Sequence, residues 1–173
     1  MKQIYIVLTY TGTVMSKIIK SYTRDEFAHV SIALDQNLQQ MYSFGRLNAY
    51  NAFNGGFVHE YIDKGTFKRF HNTRAKIYCI DIDEEKYEML QNQISNFEKE
   101  KDKYDFNYLG LFGVGFNIKR RKPNCFYCAE FVKYVLENSE IDFSLPELIR
   151  PENFKDIPES KEIYKGLLRN YGH

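Results

Sequence analysis

Hydrophobic and polar positions change period several times along the chain, and each change marks an element. Residues 2–10, KQIYIVLTY, alternate with Ile4, Ile6 and Leu8 on one face, the period-2 pattern of a strand. TGT interrupts it, and residues 14–23, VMSKIIKSYT, have the length and apolar spacing of a short helix. FAHVSIAL (27–34) is a second strand, with Phe27, His29, Ser31 and Ala33 on one face and Val30, Ile32 and Leu34 on the other. A DQN turn leads to LQQMYSFG (38–45), which predicts a hairpin because Asp and Asn supply turn geometry. NAFNGG is a loop, FVHEYI (57–62) a strand, and RAKIYCIDID (74–83) another, with Ala75, Ile77 and Cys79 in phase. The longest helix spans 84–104, where Tyr87, Leu90, Ile94 and Phe97 recur at spacings of three and four; its acidic start and basic end suit the helix dipole. Residues 106–124 are glycine-punctuated and apolar before turning basic. Residues 126–138 form an amphipathic helix: Cys128, Phe131, Val132, Val135 and Leu136 make its apolar stripe, and Glu130, Lys133, Tyr134 and Glu137 its solvent side. The tail carries Pro146, Pro151 and Pro158, so it should wrap the surface and end in a short helix near 160–169.

Length and composition narrow the class. A chain of 173 residues, 43% hydrophobic and 27% charged, is expected to form one domain, with a core over 1–140 and a tail over 141–173. Fourteen Tyr and fourteen Phe without Trp suit strands and an aromatic core. A net charge of +1 supplies no bulk field for nucleic acid, and no apolar run reaches the ~18 residues of a membrane helix. The first residues read as a strand and not as a signal peptide. Three cysteines, Cys79, Cys125 and Cys128, are too few for a disulfide scaffold, so a reducing cytoplasm is the simplest compartment, with unconventional export left open.

Two residues carry candidate chemistry. Cys128 falls in the first turn of its helix, where unpaired N–H groups and the dipole favour a thiolate, and an imidazole beside it could take and return the proton. His29 shares its strand face with the small residues Ser31 and Ala33, which would let a helix approach that face closely. A cysteine at a helix start against a histidine on a strand is papain-like geometry.

These stretches resemble a known family. CAEFVKYVL is similar to the nucleophile helix of NlpC-type papain-like hydrolases, and HVSIAL to their histidine strand. His29 precedes Cys128, the order of the circularly permuted branch, the YiiX-like amidases, which are distant relatives of lecithin:retinol acyltransferase. TGTVMSKIIKSYTRDEFAHVSIAL and MYSFGR also resemble that branch, so the likeness covers most of residues 8–136. It implies an α+β papain-like fold, a central antiparallel sheet or partial barrel with the cysteine helix packed on it. It also implies a thiol hydrolase acting on an amide, peptide or acyl ester of a small-molecule, peptide or lipid-like substrate, with no metal or organic cofactor. Cys128 would be the nucleophile, His29 the general base, and the Cys128 N–H the first oxyanion donor. An acyltransferase with the same thioester chemistry and an inert binding module are the alternatives. The family's third residue is commonly a Glu on the strand after the histidine strand. Ser43 occupies the equivalent place here and is the expected partner of His29, with Glu60 the alternative. Ala129 replaces the family's usual Ser after the nucleophile.

Other features have plainer readings. Cys125 forms a C-x-x-C with Cys128, but without a second pair it does not make a zinc site and reads as a structural neighbour. Cys79 reads as core, and His59 and His71 as surface or loop. The basic run 119–122 reads as a solvated connection. The glycines at 110, 113 and 115 lack the strand and acidic partner of a nucleotide fingerprint.

Overall fold

The computed structural model describes residues 1–115, 118 and 122–172. In chain order the elements are β1 (Lys2–Tyr10), α1 (Val14–Thr23), β2 (His29–Ala33), β3 (Met41–Asn48), β4 (Asn51–Glu60), α2 (Gly65–Arg69), β5 (Arg74–Ile82), α3 (Glu84–Lys99), β6 (Asp105–Phe106), α4 (Tyr108–Gly115), β7 (Cys125–Phe126), α5 (Cys128–Glu137) and β8 (Lys161–Leu167). Six strands form an open sheet in the order β4-β3-β2-β1-β5-β8, every pairing antiparallel. The fold is therefore α+β with a central antiparallel sheet, and β6 and β7 make a short parallel pair beside it.

Both faces of the sheet are covered, so β1 is buried from Ile4 to Leu8 without interruption. One face presents Ile4, Ile6, Leu8, Val30, Ile32 and Phe44 to the apolar stripes of α3 and α5. The other presents Tyr5, Val7, Ala33, Met41, Ile77 and Cys79, closed over by Phe67 of α2 and by Leu168. The stripe of α5 thus meets the Val30–Ile32 face; the small residues at 31 and 33 do not receive it. Lys133 is not on a solvent face either: it is buried, and its ammonium donates to the carbonyls of Leu145 (3.0 Å) and Pro146 (2.8 Å). A long aliphatic stem lets the charge reach carbonyls of the tail while the methylenes stay packed.

The tail supplies core as well as cover. Ile141, Ile149, Phe154 and Ile157 join the first hydrophobic cluster. Its end is the strand β8, not the helix expected near 160–169, and it adds to β5 as an edge strand whose Lys and Glu residues keep that edge polar. Glu152 accepts the Phe27 N–H (2.8 Å) and Arg150 pairs with Asp25 (3.3 Å), so the tail pins the segment leading into β2. The strand over 57–62 is the second half of a longer hairpin arm that already begins at Asn51, within the expected loop. No helix among the described residues is long and apolar enough to cross a membrane.

Candidate functional site

His29 opens β2 and Cys128 opens α5, so each stands at the end of its element, and together they line a cleft at the margin of the sheet. α1, α4 and the β3–β4 hairpin complete the walls through Met15, Leu111, Phe44 and Gly55.

The cysteine is presented by tight local chemistry. Glu130, three residues after the helix cap Tyr127, accepts the Tyr127 N–H (3.3 Å). The same carboxylate oxygen accepts from Asn107 Nδ2 (3.1 Å), and Asn107 Oδ1 in turn accepts the Gly110 N–H (2.8 Å) at the start of α4. One buried Asn thus ties the starts of two helices that border the cleft. Neither Asn107 nor its link to Glu130 was evident in the sequence, although an Asn ahead of an apolar run is a usual helix-start signal. With that cap, residues 108–115 wind into a helix despite three glycines.

The histidine has a carboxylate partner. His29 Nε2 donates to Glu60 Oε1 (3.0 Å, with Oε2 at 3.3 Å), and Ser31 Oγ donates to Glu60 Oε2 (2.5 Å). The Glu60 side chain is 9% exposed and the His29 ring 21%. Burial, the largest single influence, works against a charged ring. The Glu60 carboxylate, the neighbouring Cys128 and the Glu60 hydrogen bond outweigh it and lift the ring to about 10 from its ordinary 6.5. Since Nε2 is taken by Glu60, Nδ1 is the nitrogen left to face Cys128.

Ser43 does not hold the ring. Its hydroxyl is fully buried and donates to the Val30 carbonyl at 2.7 Å, one strand away. Gly45, on the strand between them, lies directly against the pair, so a side chain larger than a methyl there would press on it. A Cβ there would stand 3.4 Å from both Glu60 Oε1 and His29 Cε1. Small residues at 31 and 45 therefore make room for a carboxylate, not for a helix. Gly45→Val should separate the pair and cut Cys128 reactivity by about tenfold or more, on the scale of losing a charge-assisted hydrogen bond, while Ser43→Ala should leave it unchanged and lower stability by about 1 kcal/mol in urea titration. Reactivity lost with Ser43→Ala and kept with Gly45→Val would return the orienting role to Ser43.

The remaining candidates fall elsewhere. Cys79 is buried in the second core, where burial and then Asp81 push its thiol up. Cys125 is half-buried and lines a separate hollow with Tyr104 and Glu147. His59 Nε2 donates to the Gln39 carbonyl (2.7 Å) and its Nδ1 accepts from Tyr61 (3.0 Å). His71 is exposed. Of the basic run at 119–122 only Lys122 lies within the described residues. Among the described residues no three His, Cys, Asp or Glu side chains gather as a metal ion would need.

No family model, curated protein or solved structure matches the chain.

Proposed function

We propose that the protein is a thiol hydrolase of the permuted papain-like type, cleaving an amide, peptide or acyl-ester bond. The observation that carries this reading is the series Cys128, His29, Glu60 along the wall of one cleft, with the ring's Nε2 hydrogen-bonded to the Glu60 carboxylate at 3.0 Å. In the forward step the sulfur attacks the substrate carbonyl carbon as a thiolate, with its proton held on Nδ1 of the cationic ring that Glu60 stabilises. The tetrahedral oxyanion is met by the Cys128 N–H, free at the helix start. The carbon–nitrogen or carbon–oxygen bond then breaks, the ring proton goes to the leaving group, and a thioester remains. Water, deprotonated by the same nitrogen, attacks the thioester and restores the thiol. Glu60 accepts from Nε2 throughout, which turns Nδ1, and the proton it exchanges, toward the reacting atoms.

Site-resolved alkylation tests the reading. With iodoacetamide at pH 7, Cys128 should react about ten times or more faster than Cys79 or Cys125, and His29→Ala should abolish the difference, since reactivity follows thiolate character and access. A thiol-directed fluorescent probe should label the wild-type chain and not Cys128→Ser. Three equally slow cysteines would reduce the cleft to a binding module.

A further inference from the structure

The cleft holds a cation that its own structure leaves uncommitted. Arg46 follows Gly45 on β3, is half-buried and lines the cleft with Cys128 and His29. Among the described residues no carboxylate lies within ion-pair distance of it; its guanidinium makes one hydrogen bond, to Thr13 Oγ1 at 3.0 Å. Burial first, and then the neighbouring Arg69, oppose its charge. Phe70 lies beneath it at 5.6 Å, an apolar support that orients the planar group without neutralising it. A half-buried guanidinium close to a second one and without a carboxylate is a costly arrangement in an empty cleft and a favourable one around an anion.

Hydroxyls converge on the same place. Thr11, Thr13 and Ser16 form one hydrogen-bonded group at the start of α1, with Thr11 Oγ1 3.2 Å from Thr13 Oγ1 and Thr13 Oγ1 3.2 Å from Ser16 Oγ. Thr9, in register with His29, is fully buried, lines the cleft, and its Oγ1 has no hydrogen-bond partner among the described residues. A buried hydroxyl left unpaired is expensive unless a ligand completes it.

We propose that Arg46 anchors an anionic group, a carboxylate or a phosphate, on the substrate cleaved at Cys128, with the Thr9–Thr13 hydroxyls as its hydrogen-bonding surround. This names a substrate class for the cleft and rests on the hydrolase reading above. The guanidinium fork fits the two oxygens of either anion, and the apolar walls at Phe44, Phe106 and Leu111 would hold the uncharged part of the molecule.

The experiment titrates the full chain with succinate and with inorganic phosphate, following amide shifts at Thr13, Ser16 and Gly45 by NMR, in wild type, Cys128→Ser, Arg46→Gln and Arg46→Lys. Wild type and Cys128→Ser should bind with equal affinity. Arg46→Gln should lose about tenfold or more, and Arg46→Lys less, because a point charge keeps the attraction but not the fork. The anion that binds more tightly identifies the group. Bound anion should also slow alkylation of Cys128 by iodoacetamide relative to chloride at equal ionic strength. Absence of shifts at those residues with both anions, or equal affinity in Arg46→Gln, overturns the proposal. Should Arg46→Gln fail to fold, Arg46→Lys decides: weaker binding supports the fork and unchanged binding overturns it. Anion binding beside an unreactive Cys128 keeps the anchor and removes the hydrolase; a reactive Cys128 without anion binding does the reverse.

Discussion

Glu60→Gln should reduce Cys128 reactivity, and turnover once a substrate is in hand, by about a thousandfold, within the range of losing the group that orients a catalytic histidine. The amide can still accept from Ser31 and from the ring, so the change removes charge while leaving shape and hydrogen-bonding capacity nearly intact. What it takes away is the largest influence that raises the His29 pKa, leaving burial opposed by Cys128 alone. NMR of the ring should show its titration falling well below about 10. Stability should respond too, with a definite sign. In wild type the folded ring holds its proton above the unfolded value, so its contribution is complete below pH 6.5 and is lost as pH rises toward about 10. Thermal melts of wild type should therefore decline across that interval, and those of Glu60→Gln should be flatter. A glutamine variant with wild-type reactivity and an unmoved ring titration would show that the carboxylate does not set the state of His29.

Much of this site could be read from the chain before its geometry. Cys128 was legible because a helix stripe has a phase, and phase places a residue both on the buried face and in the first turn. His29 was legible because strand parity separates it from Val30 and Ile32. The third residue was misassigned for a physical reason. Ser43 stands on the neighbouring strand and shares the face of Ser31, but its short side chain finds the Val30 carbonyl first. Glu60 comes from one strand further out, and its long side chain reaches the ring past Gly45. A glycine inside a strand pattern is itself a sign of close approach, so SFG carried the information. Parity alone also could not say which face α5 would cover, since both faces of the sheet are apolar. The tail resisted for another reason: KEIYKGL mixes charges on both faces, as an edge strand tolerates, and pairs only with β5, more than eighty residues earlier at Lys76–Lys165.

Phe97→Ala should be the most destabilising single truncation in the core, lowering the unfolding free energy by about 3–5 kcal/mol. Phe97 is 3% exposed and its ring lies within 6.0 Å, centroid to centroid, of Phe44, Phe57, Tyr104, Phe126, Phe131 and Tyr134. Three of those contacts are edge-on to rings of β7 and α5, where the positive edge of one ring meets the negative face of another. Deleting it leaves a void between α3, the sheet and the helix that carries Cys128, and six rings cannot all close on one gap. Phe97→Leu should cost less, about 1–2 kcal/mol, because most of the volume survives. Phe53→Ala, at a residue 74% exposed, should stay within about 0.5 kcal/mol. Urea titration of the three variants gives the ranking, and alkylation kinetics should follow it, since α5 holds its cysteine at the cleft only while Phe131 is backed by Phe97. If Phe97→Ala and Phe53→Ala shift the urea midpoint equally, the aromatic cluster does not secure α5 and the position of Cys128 must be held by the Asn107–Glu130 link at the other end of the same helix start.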